Sequence, residues 1–279
     1  MEKDFSKLYN NLVSGLYTYC KSNNLQSFVL GISGGIDSTI TAAIASKAAD
    51  LAGVPIYGVS MPTITNDDDE TSTAELVGNA FCDEFVEQPI GRLYSSVEVV
   101  CANLTYRLAN KLDGSTKIAK GNIKARLRMI TLYHIASMTG GVVLDTDNAT
   151  EHFTGFYTIH GDDGDIGVLR DLDKSTIFAF AEWMISNSKL FNEKQREAIA
   201  ASMKLNPTDG NGVGCDLEQF GLPTYADVDA VVNGTETENV GNVMSLHNKT
   251  WYKRQVRPLY VNEGGKVVQG DGSPINKEA

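Results

Sequence analysis

Gly31-Ile32-Ser33-Gly34-Gly35-Ile36-Asp37-Ser38-Thr39 lies between the apolar run Ser27-Phe28-Val29-Leu30-Gly31-Ile32 and the Ala- and Ile-rich stretch from Asp37 to Ala52. The first run reads as a buried strand and the second as a helix, so the glycines and hydroxyls fall in a strand-to-helix turn. Backbone N–H groups and a helix N-terminus hold phosphate in such turns. The paired glycines let the chain bend sharply and approach an anion closely, while Ser33, Ser38 and Thr39 add hydroxyl donors. A carboxylate here would repel phosphate unless a divalent cation lay between them, which predicts Asp37 as a Mg²⁺ ligand.

Working outward, Pro55 to Met61 reads as a second strand, Asp69 to Phe81 as a helix and Glu84 to Gln88 as a third strand. Strands alternating with helices predict a parallel sheet with right-handed crossovers. Upstream, Phe5, Leu8, Leu12, Leu16 and Tyr19 share one face of an opening helix. Downstream, helices are expected over Ser96 to Lys111 and Ser115 to Met138. Val142-Val143-Leu144 then forms a central strand that delivers Asp145 to Glu151 to the carboxyl edge of the sheet, where ligands bind in open α/β folds. The fold class expected is α/β, a doubly wound, mostly parallel, Rossmann-like sheet with helices on both faces. A further helix is expected over Lys174 to Ser186, then a Gly-, Pro-, Asn- and Asp-rich segment from Asn206 to Pro223 that is a candidate lid. Tyr225 to Val232 and Glu238 to Lys249 read as short helices. Residues 1–261 are expected to form one domain, and 262–279 a polar tail or loose hairpin.

Composition narrows the function. The chain has 279 residues, 42% of them hydrophobic, a formal net charge of -11 and a pI of about 4.8. It can bury a large core, and the acidic balance argues against nucleic-acid partners. No apolar run approaches the ~20 residues that span a bilayer, so no membrane partner and a cytoplasmic location are expected. The cysteines, Cys20, Cys82, Cys101 and Cys215, are scattered and read as reduced thiols.

Two phosphate motifs are absent from the loop, G-x-x-x-x-G-K-[ST] and G-x-G-x-x-G. Gly31-Ile32-Ser33-Gly34-Gly35 does satisfy the G-x-S-x-G nucleophile elbow, with His247 nominally available as base. A serine hydrolase using Ser33 would leave Asp37, Ser38 and Thr39 unexplained.

The serine-glycine-glycine-x-aspartate-serine run resembles the pyrophosphate loop of the N-type ATP pyrophosphatases, in which ATP is cut between its α- and β-phosphates and AMP passes to an acceptor. Gly121-Asn122-Ile123-Lys124-Ala125-Arg126-Leu127-Arg128-Met129, Thr146-Asp147-Asn148-Ala149-Thr150-Glu151, Thr154-Gly155-Phe156-Tyr157-Thr158 and Gly161-Asp162-Asp163-Gly164-Asp165 then resemble, in order, signatures of the NAD synthetase family. That resemblance implies ammonia-dependent amidation of deamido-NAD through an acyl adenylate, with ATP as co-substrate, Mg²⁺ as cofactor and a homodimeric assembly. It implies that Gly31, Ile32, Ser33, Gly34, Gly35, Ile36, Asp37, Ser38 and Thr146 meet ATP. Asp37 and Glu151 would bind the metal. Lys174 and Thr208 would be directed at the phosphates, Asp162 would accept a proton from ammonia, and Arg126, Asp165, Tyr252 and Lys253 would hold deamido-NAD.

The chain departs from the family at Asp145, where glycine is usual, at Ile159, where lysine is usual, and at Tyr252, where histidine is usual. It also carries a longer Gly-rich loop from Asp209 to Gly214. Loss of the Ile159 lysine removes a charge expected near deamido-NAD, so the ATP half of the resemblance is the better supported, and a related carboxylate, or another adenylating ligase or ATP pyrophosphatase, is the alternative.

Overall fold

Alternate residues of the first strand face opposite sides of the sheet, and the two sets of apolar side chains demand a helical layer on each side. The computed structural model describes residues 3–109, 116–205, 216–255 and 259–269. The strands are β1 (Phe28–Gly31), β2 (Ile56–Ser60), β3 (Glu84–Glu87), β4 (Val142–Asp145), β5 (Ile166–Gly167), β6 (Leu259–Val261) and β7 (Val267–Val268). They lie in the order β3-β2-β1-β4-β5-β6-β7, all parallel except for the β6–β7 pair. The expected doubly wound sheet is the one observed.

Phe28 and Leu30 point into a layer built from α1 (Phe5–Ser22), α2 (Ile36–Ala52), α3 (Asp68–Phe81), α7 (Lys174–Ser186) and α8 (Glu193–Ser202). Val29 points the other way, with Val143, into a smaller cluster under α4 (Gly91–Ala109) and α5 (Thr116–Thr139). A third cluster, Phe220, Leu222, Val228, Val231 and Val243, lies under α9 (Asp216–Phe220), α10 (Tyr225–Val232) and α11 (Val243–Lys249). Phe153 and Phe156 pack against it from in and just beyond α6 (Ala149–Thr154). Among the described residues no helix is long and apolar enough to cross a membrane.

Local expectations change at α11 and α8, and the candidate lid is only partly described. The helix expected from Glu238 begins only at Val243, because Gly241 adopts φ +48° in a turn that closes onto Phe220. Helix α8, not expected from hydrophobic periodicity, carries few large apolar residues and starts instead on a reciprocal cap between Asn192 and Gln195. The candidate lid is described only from Asp216 onward, and its first part, 206–215, lies outside the described residues.

Strand order reverses between β1 and β4, and the crevice outside their carboxyl ends is where such sheets bind ligands. At the far edge, α1 lies close on the β6–β7 hairpin: a Cβ on Gly15 would come within 2.3 Å of Val261 Cγ1 and 2.6 Å of the Gly265 carbonyl oxygen. Overpacking of this kind costs about 1–3 kcal/mol. Gly15→Ala is therefore expected to lower stability by that amount in urea unfolding, while Gly53→Ala, where no atom lies within 4 Å but φ is +70°, registers backbone strain alone.

Candidate active site

The carboxyl ends of β1 and β4 open into a cleft of about 460 Å³. The β1 turn forms one wall. Gly34 has φ +86°, and a Cβ there would meet the Glu70 carbonyl oxygen at 2.6 Å, so this position needs glycine. Gly35 begins α2 without a side-chain cap, which leaves the positive end of that helix turned to the cleft. Ser33 and Ser38 hydroxyls lie 3.1 Å apart, and the Ser38 hydroxyl donates to the Gly35 carbonyl at 3.0 Å.

Asp37 in the first turn of α2 and Glu151 in the first turn of α6 converge on one cation. The Lys174 ammonium, buried at the start of α7, pairs with Asp37 Oδ2 and lies 3.5 Å from Glu151 Oε1. Asn148 donates from Nδ2 to Asp37 Oδ1 at 3.1 Å and forms a reciprocal cap with Glu151. Burial alone would depress the lysine pKa, but Asp37 and then Glu151 outweigh it, and the pKa is raised. The start of α7 is itself anchored: the Lys174 N–H donates to Thr150 Oγ1 at 3.0 Å, the Ser175 N–H to Asp229 at 2.8 Å, and Thr150 Oγ1 to the same Asp229 at 2.5 Å. Two carboxylates already converging on one positive charge beside an anion-binding turn suit a hard divalent cation that takes oxygen ligands. The residues present therefore fit Mg²⁺.

Asp162 keeps part of its surface in the cleft, where it accepts the Thr158 N–H at 2.6 Å. Atoms packed round it withdraw water and raise its carboxyl pKa, against the pull of that N–H, Arg128 and Lys253. Lys253 donates to the carbonyls of Gly155, at 2.6 Å, and Tyr157, and desolvation lowers its pKa.

Of the residues expected in the site, Gly31, Ile32, Ser33, Gly35, Ile36, Asp37, Ser38, Thr146, Glu151, Asp162, Lys174 and Lys253 all line this cleft. Gly34 shapes the turn from behind. Arg126 is exposed and donates from Nε to the Ile159 carbonyl at 3.2 Å. Asp165 accepts from the Tyr133 hydroxyl at 3.0 Å and the Val143 N–H at 2.8 Å, and Tyr252 is exposed. Thr208 lies outside the described residues. The hydrolase reading fails on geometry: the Ser33 hydroxyl meets Ser38 and the Gly35 N–H, while the His247 ring stacks on Phe153 and bonds its carbonyl. No histidine hydrogen-bonds Ser33 among the described residues.

Arg128 and Asn122 also line the cleft, although neither was given a site role from sequence. No helical spacing rule singled them out, since six residues on α5 turn the helix through about 600° and leave Asn122 and Arg128 about 120° apart round its axis. The Asp145 departure gains a partner: its wholly buried carboxylate accepts from Arg170 Nη2 at 2.8 Å and from the Asp147 N–H at 2.7 Å. Arg170 Nη1 meets His152 Nδ1 at 2.6 Å, so that nitrogen accepts and the ring's proton sits on Nε2.

Against known proteins, a sequence model of the family described as NAD synthase matches residues 8–257. The chain is 30% identical over 237 residues to an NH(3)-dependent NAD(+) synthetase of Thermoplasma volcanium, covering 82% of this chain and 87% of that one. In structure it is similar to NMN synthetase from Francisella tularensis, with TM-score 0.76, 25% identity and coverage of 91% of this chain and 98% of that one. It is also similar to NAD+ synthetase from Burkholderia pseudomallei, with TM-score 0.65, 25% identity and 91% coverage of each chain.

Removing one member of a buried ion pair strands the other, at about 3–5 kcal/mol. Arg170→Met is expected to lose that much stability in urea unfolding, and Asp145→Ala/Arg170→Met to recover most of it.

Proposed function

This chain belongs to the NAD synthase family, and from that premise we propose that its cleft performs the ATP-dependent amidation of deamido-NAD to NAD with ammonia, releasing AMP and diphosphate. It is a ligase that forms a carbon–nitrogen bond. The observation that carries the reading is the convergence of Asp37 and Glu151 on the Lys174 ammonium beside the uncapped start of α2.

In the first step the acceptor carboxylate attacks the ATP α-phosphorus. A bond forms between carboxylate oxygen and phosphorus, and the bond to the diphosphate breaks. The Ser33 to Ser38 turn and the α2 N-terminus hold the departing diphosphate, with Lys174 turning from its carboxylate partners to the phosphates. Such transfer depends on positioning and electrostatic stabilisation. Mg²⁺ held by Asp37 and Glu151 would neutralise charge on the diphosphate. In the second step ammonia attacks the acyl carbon, Asp162 takes its proton, and the carbonyl–oxygen bond to AMP breaks. A carboxyl pKa raised by desolvation suits a base working near neutral pH. Arg126, Asp165, Tyr252 and Lys253 are our candidates for the acceptor, and Thr208 joins Lys174 at the phosphates. We read residues 1–261 as one catalytic domain with 262–279 appended, and the location as cytoplasmic.

A second acceptor has an observation in its favour. The NMN synthetase overlays this chain with a higher TM-score, 0.76, than the NAD+ synthetase at 0.65. Ile159 also stands where the family's lysine would meet the dinucleotide. Both features suit nicotinate mononucleotide, which carries the same carboxylate without the adenylate half.

The assembly we propose is a homodimer formed through α4 and α5. Val99, Val100, Leu104, Ile118, Ile130 and Met138 on these helices are each more than a third exposed, more apolar surface than a solvated helix pair leaves in water. Sedimentation equilibrium is expected to give twice the chain mass, and Val100→Asp/Leu104→Asp to give monomers. A wild-type monomer at micromolar concentration sinks the dimer.

Incubation with ATP, Mg²⁺, ammonium and either acceptor should yield one AMP per amide formed. Asp37→Ala is expected to slow turnover by about 10²-fold or more, the scale of lost charge stabilisation at a reacting centre. A tenfold preference in kcat/KM decides between the acceptors, and a near-normal rate in Asp37→Ala removes it from the metal site.

A further inference from the structure

Asn148 caps α6 and is 0% exposed, behind the Asp37 and Glu151 carboxylates that line the cleft. Its backbone N–H donates to Glu151 Oε2 at 3.2 Å, and its side-chain Oδ1 accepts the Glu151 N–H at 2.9 Å. Its Nδ2 donates to Asp37 Oδ1 at 3.1 Å. Because Oδ1 faces a donor, the amide has one orientation, which turns its nitrogen to Asp37. The following residue pins the turn, the Ala149 N–H donating to the Leu172 carbonyl at 2.9 Å. One residue thus holds one oxygen of each carboxylate. The other two, Asp37 Oδ2 and Glu151 Oε1, are the pair turned to the Lys174 ammonium.

Lys174 and Asn148 both bridge the carboxylates, from opposite sides of their oxygens. An ammonium that turns to phosphates releases Asp37 Oδ2 and Glu151 Oε1 together. The amide is buried, where no bulk water competes for its bonds, so its hold on Asp37 Oδ1 persists through that move. The cap on Glu151 belongs to the helix itself and persists likewise.

We propose that Asn148 is a positioning residue that makes Asp37 and Glu151 one-oxygen ligands and so tunes their site to Mg²⁺ over Ca²⁺. The inference rests on the reading of Asp37 and Glu151 as metal ligands and adds what chooses the ion. Mg²⁺ demands an octahedron of oxygens at about 2.1 Å and draws on one or two carboxylates, with phosphate and water completing the set. Ca²⁺ takes about 6–8 oxygens at about 2.3–2.6 Å and accepts both oxygens of one carboxylate. For that, Asp37 would draw Oδ1 away from Nδ2, and Glu151 would draw Oε2 away from the Asn148 N–H. Either shift breaks a hydrogen bond of a buried residue and leaves its donor unsatisfied. Mg²⁺ needs neither shift. Partners that orient a metal's ligands from behind typically govern affinity by about 10–100-fold.

The test compares wild type with Asn148→Ser and Asn148→Asp. Serine and aspartate cap helices about as well as asparagine, so α6 keeps its start while Asp37 loses its donor. Mn²⁺ is bound to the full chain with α,β-methylene-ATP, which cannot be cleaved between those phosphates, and is displaced with Mg²⁺ or with Ca²⁺. The paramagnetic resonance of the free ion is followed against a blank of nucleotide alone, a readout that needs no turnover. In wild type, Mg²⁺ should displace at a lower concentration than Ca²⁺. In Asn148→Ser the Mg²⁺ affinity should fall about tenfold or more and the Ca²⁺ affinity by much less, which narrows the preference. Asn148→Asp should narrow it as well, its added charge drawing both ions, and it stands in should Asn148→Ser fail to fold. In turnover, the Mg²⁺ concentration for half-maximal rate should rise in step while the ammonium KM stays in place. A Mg²⁺ to Ca²⁺ preference equal in wild type and folded variants overturns the proposal, since an asparagine with only a structural role would weaken both ions alike. Absence of any amide product in wild type would instead sink the amidation reading, and the displacement curves would still decide this one. A wild type that holds no more Mn²⁺ than the blank removes the metal site and the selector with it.

Discussion

A lysine ammonium at the start of a helix is set against the positive end of that helix's dipole, and here it is buried as well. Asp37 and Glu151 face it and hold it there, with the Tyr225 ring 5.6 Å from the ammonium. At 3.5 Å and an effective dielectric constant of about 20, one such attraction is about 5 kcal/mol before desolvation is subtracted. The two carboxylates stand in the first turns of α2 and α6, where the same dipoles favour them. Three helix starts, following β1, β4 and β5 in the sheet, are thereby drawn to one point. Asp229 on α10 fixes the third through Thr150 and Ser175, which ties the small third cluster to the catalytic wall. The rest of the fold places these helix starts within reach of each other.

Much of this was legible along the chain. The alternation of strand and helix from Phe28 to Glu87 is written in apolar runs and capping residues, and the phosphate turn is local in sequence, so motif and geometry coincide. The joint arrangement of Asp37, Glu151 and Lys174 is different. No spacing rule relates residues in three separate elements, and only family resemblance put them together. Strand β5 has two residues, one of them Gly167, too few for any period to register. Helix α8 announced itself through Asn192 and Gln195 at its cap instead of an apolar stripe. The end of α11 came from the sequence correctly and its start did not, because a run of Asn, Val and Gly before Val243 reads as polar helix until the chain must turn back against Phe220.

Asp145 illustrates a departure that only three dimensions explain. A carboxylate placed in the middle of the sheet, where glycine is usual in the family, would be costly alone. Arg170 meets it, His152 meets Arg170, and the Tyr157 ring stacks on His152. Burial would lower the Arg170 pKa, yet Asp145, then Asp147 and Asp163, raise it. One substitution in a strand thus reaches Tyr157 in the cleft wall through an ion pair, a hydrogen bond and a ring stack. The phosphate half, built from backbone and the β1 turn, is untouched by it. The departures at Asp145, Ile159 and Tyr252 likewise fall outside the Gly31 to Thr39 turn.

Asp162 and Asp163 are neighbours in sequence with opposite surroundings. The preceding turn, in which His160 takes φ 60°, sends the first toward the cleft, where a backbone N–H, Arg128 and Lys253 favour its charge. It sends the second toward Asp145 and Asp147, where burial and then Asp145 raise its pKa against the pull of the His160 N–H and Arg170. Paired titratable groups whose environments differ in this way divide labour in catalytic sites. Here one carboxyl faces the cleft and the other the buried Asp145–Arg170 pair. A single tight turn separates them, its backbone fixed by the N–H groups of Gly161 and Asp162, which both donate to the Thr158 carbonyl.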